Sequence, residues 1–144
     1  MRIIVKLTTC FILCGAILLA AAQNLHASEK KAASVRSHEL IISIVNDSGR
    51  FVAGSNTFCV VFTSAADASP VLVKDVSVEF AQQVGRILEG PTHAQITEGN
   101  AERFYGKVDL GTQYYQPAFH YVFIHYTDVD GKRRKCRLSL SVRA

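Results

Sequence analysis

The densest group of chemically active side chains in this sequence is a run of cations near the C-terminus. Five of the six residues from 132 to 137 are Lys or Arg. Such a cluster can dock an anionic partner, for example lipid headgroups, a polysaccharide or an acidic protein surface. Cations on an edge strand also deter edge-to-edge aggregation, and this interpretation stays open beside the first. The candidate docking residues are Lys132, Arg133, Arg134, Lys135 and Arg137.

Histidine is the candidate metal ligand, because four histidines lie beyond residue 37: His38, His93, His120 and His125. His120 and His125 are five residues apart. On an extended strand they point to opposite faces and cannot chelate one ion without a bulge. We therefore expect no cofactor, and we keep His120 and His125 as the candidate ligands of an alternative metal site.

Cys59 and Cys136 are the two cysteines outside the N-terminal segment. An oxidising compartment would favour a disulfide between them. Strand parity argues against it, because Cys59 lies on the opposite face from Phe58, whereas Cys136 shares a face with Leu138. The Cys59–Cys136 pair is therefore left open between a bridge and two thiols in different layers.

The sequence contains no motif that indicates catalysis. It has no nucleophile elbow, no zinc-binding HExxH pattern and no phosphate-binding glycine loop. Asp75 and Glu79 share one face of a strand, but alternation places that face in solvent, where their pKa values would not be driven apart. We expect a protein that is not an enzyme.

The N-terminal residues have the pattern of a secretory signal peptide. Arg2 and Lys6 precede an uncharged stretch over 7–22, which ends in small residues suited to a cleavage site. The cut is expected after residue 22, or as late as residue 27. Export to the periplasm or the extracellular space follows and argues against nucleic acid as a partner. A membrane partner follows only if this segment is retained as an anchor, which is the alternative.

Beyond the signal peptide, we predict a flexible tail over 23–37 and one domain over 38–144. Residues 28–37 are mostly Ser, Ala, Lys and Glu and contain no aromatic residue, a composition typical of a mobile segment. The formal charge of +4 comes from these N-terminal parts, because the domain carries eleven cations and eleven anions. The domain is thus neutral overall, and five of its eleven cations lie in the 132–137 cluster.

Apolar and polar residues alternate along the domain with the period of a β-strand. Turn signals separate these segments, among them Asn46 to Gly49 and the hairpin pair Asp130-Gly131. Residues 83–91 contain two Gly and a Pro and are predicted to be a connection. About seven strands result, and they predict an all-β, immunoglobulin-like antiparallel sandwich. The predicted strands cover 40–45, 57–63, 71–81, 93–97, 104–110, 118–128 and 132–142, with a short extended piece at 50–53.

Three stretches resemble the YtkA-like family, to which FixH-type proteins are related: Gly49 with 52–58, the segment 70–78, and 104–108 before the final hairpin. The match would cover about residues 40–143. It implies a small exported or membrane-anchored sandwich that serves as a binding or assembly accessory with an unknown protein partner or anionic surface. The family also has links to copper handling, which implies a periplasmic metal-handling protein as the alternative function. This chain departs from the family there, because its only Met is Met1 and copper(I) prefers soft ligands.

Overall fold

The computed structural model describes residues 28–99, 102–111 and 118–143, and these residues form strands and turns without a helix. The predicted signal peptide over 1–22 lies outside the described residues. The strands are β1 (Lys30–Ser37), β2 (Leu40–Asn46), β3 (Phe51–Val52), β4 (Ser55–Ser64), β5 (Lys74–Val84), β6 (Ile87–His93), β7 (Gln95–Glu98), β8 (Arg103–Asp109), β9 (Phe119–Thr127), β10 (Arg133–Leu140) and β11 (Val142–Arg143).

Two antiparallel sheets pack face to face, so the predicted all-β sandwich is confirmed. Sheet 1 has the strand order β1-β2-β4-β8-β7, and sheet 2 has the order β10-β9-β5-β6. The short strands β3 and β11 form a separate parallel pair. The described residues thus contain eleven strands, more than the seven expected, because the edge strands β1 and β6 and the short pair of β3 and β11 add to the main ones.

The core lies between the inner faces of the two sheets, where alternate residues of each strand meet. Three rings, Phe51, Phe58 and Phe80, pack with centroids 5.4–5.6 Å apart. A second ring group joins Phe62 to Tyr126, with centroids 5.2 Å apart. Such tilted and edge-on ring contacts stabilise a core beyond the area they bury. The remaining fully buried aliphatic side chains are Ile42, Ile44, Val60, Val78, Leu110, Val122 and Ile124.

The prediction of a flexible tail over 23–37 is wrong for residues 30–37, which form β1 at the edge of sheet 1. β1 pairs with β2 in antiparallel register from Lys30 opposite Asn46 to Ser37 opposite Leu40. An edge strand needs few apolar side chains, and here Ala33 and Val35 are among the residues that pack against the core. A composition rich in Lys and Ser therefore does not exclude a strand at an edge.

The prediction of a connection over 83–91 is also wrong except at residues 85–86, because β5 continues to Val84. β6 begins at Ile87 and pairs with β5 at the opposite edge of sheet 2. Gly90 has a φ of 117°, and a Cβ there would press on the backbone carbonyl of Phe80. Gly90 and Pro91 sit at an irregularity in the pairing, where an edge strand tolerates them.

Candidate functional site

The cationic cluster lies on the β9–β10 hairpin, which turns at Asp130-Gly131 as predicted. Asp128 shapes the turn, because its Oδ1 accepts hydrogen bonds from the backbone N–H of Asp130 at 3.0 Å and of Lys132 at 2.9 Å. Gly131 adopts a φ of 78°, a left-handed conformation that favours glycine. This turn fixes the register in which Arg133 stands opposite Thr127 and Arg137 opposite Phe123.

The structure separates Arg134 from the other predicted docking residues. Its guanidinium Nε donates a hydrogen bond to Asp128 Oδ2 at 2.8 Å, and both side chains are largely shielded from solvent. This bond holds the pKa of the Asp128 carboxyl below its usual value, with help from the backbone N–H of Lys132. Arg134 therefore braces the hairpin, and its charge is already neutralised within the chain.

Three of the remaining cations share the outer face of sheet 2. Arg133, Lys135 and Arg137 alternate along β10 and are exposed, while the residues between them face the other way. At the strand spacing of about 3.4 Å per residue, these cations repeat every ~7 Å. Lys132 is exposed in the turn beside them. Because β10 is the edge strand of sheet 2, the edge-protection interpretation also stays in force.

Two of these cations lie over aromatic rings of β9. The ammonium of Lys135 sits 4.5 Å from the centroid of Phe123, and the guanidinium of Arg137 sits 5.0 Å from that of Tyr121. The cation–π attraction holds long side chains along the sheet that would otherwise sample many rotamers. We name this surface, formed by Tyr121, Phe123, Arg133, Lys135 and Arg137, the basic–aromatic face.

Sequence reasoning missed the two rings because they come from the neighbouring strand. Residues 132–137 contain no aromatic side chain, and the cluster alone gave no sign of interleaved rings. The signal was present in the hairpin itself. Pairing residues outward from the Asp130-Gly131 turn places Phe123 opposite Arg137 and Tyr121 opposite Ser139.

Two carboxylates also lie on the outer face of sheet 2, and both have partners there. The two oxygens of Glu79 face two imidazoles, with 3.3 Å to His125 Nε2 and 3.6 Å to His93 Nδ1. Asp75 accepts a hydrogen bond from the Thr127 hydroxyl at 2.9 Å. These contacts hold the two carboxylates in fixed positions on the same face of sheet 2 as the cations of β10.

His120 and His125 lie on opposite faces of β9, as strand parity predicted. His120 points inward and is buried, so desolvation lowers its pKa. His125 points outward to Glu79. His38 lies in the turn between β1 and β2. Among residues 28–99, 102–111 and 118–143, no three His, Cys, Asp or Glu side chains form a group that could hold a metal ion.

Cys59 and Cys136 are both buried free thiols, so the disulfide left open by the sequence does not form. Cys136 faces the core between the sheets, whereas Cys59 lies on the outer side of sheet 1. Burial raises the pKa of both thiols, to about 11 for Cys136. The disulfide is absent because the alternation of side chains along the two strands places the sulfur atoms in different layers.

A groove of about 340 Å³ opens beside the β9–β10 hairpin. Tyr126 and Leu40 contribute apolar walls, and Glu39, Asp128 and Asp130 contribute carboxylates. Asp128 is committed to the hairpin through its bonds to Arg134 and Lys132. The groove thus places acidic side chains at the end of sheet 2 where the β9–β10 hairpin turns.

Comparison with known proteins finds no family model, no curated protein and no solved structure that matches this chain. The YtkA-like resemblance therefore stays a prediction from the sequence. Within the part of the chain that the structure describes, no helix is long and apolar enough to cross a bilayer.

Proposed function

We propose that the protein is a non-catalytic binding module that docks an anionic surface through the basic–aromatic face. The observation that carries the proposal is the placement of Lys135 and Arg137 over Phe123 and Tyr121. Cations that already lie on a rigid sheet lose little further conformational entropy when an anion binds. Cations that served only to deter edge-to-edge aggregation would gain nothing from being ordered in this way.

The proposal includes export and an accessory role. The charge-free stretch over 7–22 with its basic start supports a signal peptide, and the resemblance to YtkA-like domains supports an exported assembly accessory. An exported module would meet anions in phospholipid headgroups, polysaccharides and acidic protein surfaces. The sandwich supplies a rigid frame on which such a surface can be built.

The proposal is tested with heparin as a soluble-polyanion probe immobilised on a column. The variant Arg133→Ser/Lys135→Ser/Arg137→Ser removes the cations of the basic–aromatic face and should elute at clearly lower salt than the wild type. A matched variant, Arg50→Ser/Lys107→Ser/Arg143→Ser, removes three exposed cations from elsewhere on the surface and controls for net charge. Salt screens exposed charges, so the salt concentration at elution measures how strongly the cations together hold heparin.

Equal elution of the two variants would overturn the proposal, because the retention would then depend on net charge alone. In that case the cations of β10 serve to protect the edge of sheet 2. Urea unfolding of both variants provides the check that neither has lost its fold.

A further inference from the structure

Four large apolar side chains are exposed together at the end of sheet 2 that lies opposite the β9–β10 turn. Phe119 is 71% exposed, Ile87 66%, Leu88 55% and Val84 37%. They surround the β5–β6 turn, where Arg86 is also exposed. We name Val84, Ile87, Leu88 and Phe119 the apolar end. Exposed apolar patches of this kind mark interaction sites.

Leu88 and Phe119 of the apolar end lie on the same surface as the basic–aromatic face, whereas Val84 and Ile87 pair with each other and point to the other side of the β5–β6 turn. Phe119 pairs with Gln83, and Gln83 pairs with Leu88, so these residues form one row across three strands. Residues paired across antiparallel strands point to the same face. Phe119, Tyr121 and Phe123 alternate along β9, so Phe119 and Leu88 lie on the outer face of sheet 2. Tyr121, which lies under Arg137, is two positions along β9 from Phe119, so the nearer stacked cation is about 7 Å from the apolar end. Phe123, which lies under Lys135, is about 14 Å from it.

Along this face the chemistry changes in one direction. Exposed aliphatic and phenyl groups come first, then Tyr121 and Phe123 with the cations of Arg137 and Lys135 over them, and then Arg133 opposite Thr127. A membrane interface has the same order from the hydrocarbon outward, with aromatic side chains at the boundary and cations among anionic headgroups. If sheet 2 were tilted against a bilayer, the apolar groups would lie in the hydrocarbon, the rings at the boundary and the cations among the headgroups.

We infer that the anionic surface is a phospholipid bilayer, into which the apolar end inserts while the basic–aromatic face contacts anionic headgroups. This inference rests on the proposed function and adds the nature of the partner. A polysaccharide has no apolar layer to receive Ile87, Leu88 and Phe119. An acidic protein surface would match the cations and leave the apolar end in water.

The chain contains no Trp, so a single introduced Trp reports its own surroundings. Phe119→Trp places the reporter at the apolar end. Val129→Trp is the matched control, because Val129 is 70% exposed in the turn at the other end of sheet 2. With vesicles of phosphatidylcholine and phosphatidylglycerol in equal parts, the emission at 119 should shift to the blue, and brominated lipid should quench it. The emission at 129 should change little.

A second pair of variants tests the same inference by binding. Ile87→Ser/Leu88→Ser should weaken vesicle binding by about tenfold or more, because two buried aliphatic groups are lost from the bilayer. It should leave heparin elution unchanged. Leu72→Ser/Val129→Ser removes two exposed apolar side chains outside the apolar end and should leave both measurements unchanged.

The outcomes separate this inference from the proposed function. Normal heparin retention with no emission shift at 119 and no loss of vesicle binding in the Ile87/Leu88 variant would overturn the bilayer inference and leave the anion-binding module standing. Loss of face-specific heparin retention would overturn the proposed function and the inference together. A blue shift at 119 that grows with protein concentration without vesicles would assign the apolar end to a second copy of this chain and also overturn the inference.

Discussion

Neighbouring residues on β10 meet opposite surroundings, and this decides their chemistry. Arg137 lies in solvent over Tyr121, whereas Cys136 faces the core and keeps a pKa of about 11 through desolvation. Cations close to a thiol stabilise the reactive thiolate, but strand alternation predicts that Lys135 and Arg137 point away from Cys136. In the structure the strand turns those two cations away from the sulfur.

We predict that iodoacetamide at pH 8 leaves Cys136 unmodified in the folded protein. The thiolate is the reactive form, and both burial and the raised pKa keep the sulfur protonated and covered. In urea the same residue should be labelled rapidly. Mass spectrometry of the peptide that contains Cys136 measures both states, and fast labelling without denaturant would contradict its placement in the core.

Gly106 is the residue whose side-chain size the core constrains most directly. It lies on the inner face of β8 opposite Phe58, and a Cβ at this position would collide with the Phe58 ring. That ring cannot retreat freely, because Phe51 and Phe80 pack against it with centroids 5.6 Å away. The glycine therefore makes room for the central aromatic cluster.

We predict that Gly106→Ala lowers the free energy of unfolding by about 1–3 kcal/mol through overpacking. Lys107→Ala, on the exposed face of the same strand, should change it by less than about 0.5 kcal/mol. Urea unfolding curves of the two variants give the comparison. Equal stabilities would mean that the cluster around Phe58 has room to spare.

At the scale of elements, the β9–β10 hairpin depends on the charge of Asp128. Its lowered pKa means that the folded state holds the carboxylate ionised at a pH where the unfolded state has bound a proton. The stabilisation is therefore present above the ordinary pKa of 3.8 and is lost as pH falls through the folded value. The hairpin should loosen in acid.

We predict that Asp128→Asn is less stable than the wild type at pH 7, and that the difference shrinks as the pH falls below about 4. The amide keeps an acceptor for the turn but loses the charge that pairs with Arg134. Urea midpoints at pH 7 and pH 3 measure the difference. Asp130→Asn in the same turn is the control, and a difference for Asp128→Asn that is constant with pH would contradict the role of its charge.

Strands with a regularly apolar face could be predicted from the sequence, including β10 at an edge of sheet 2, whereas the edge strands β1 and β6 could not. The sequence predicts β4, β8, β9 and β10 because one face of each strand must be apolar to fill the core, which produces regular alternation. β1 and β6 lie at edges, where fewer side chains are buried and Lys, Gly and Pro are tolerated. Predicting the basic–aromatic face also requires the register between β9 and β10, because Tyr121 and Phe123 lie on one strand and the cations on the other.

At the scale of the whole molecule, β1 contributes to the stability of the sandwich although it lies outside the domain predicted to begin at residue 38. It covers the outer edge of β2 and contacts β10 of the other sheet, so it closes one side of the sandwich. Ahead of it, the Glu29 carboxylate pairs with the Arg103 guanidinium of β8. Residues that composition assigned to a tail thus join both sheets.

We predict that a chain beginning at residue 38, the domain boundary that composition indicates, is less stable than one beginning at residue 28 by about 2–4 kcal/mol. The shorter chain loses the β1–β2 hydrogen bonds and the packing of Val35 against the core. It also exposes the edge of β2, which offers unpaired N–H and C=O groups to another chain. Urea unfolding measures the first effect and light scattering the second. Equal unfolding midpoints would show that the two sheets hold together without β1.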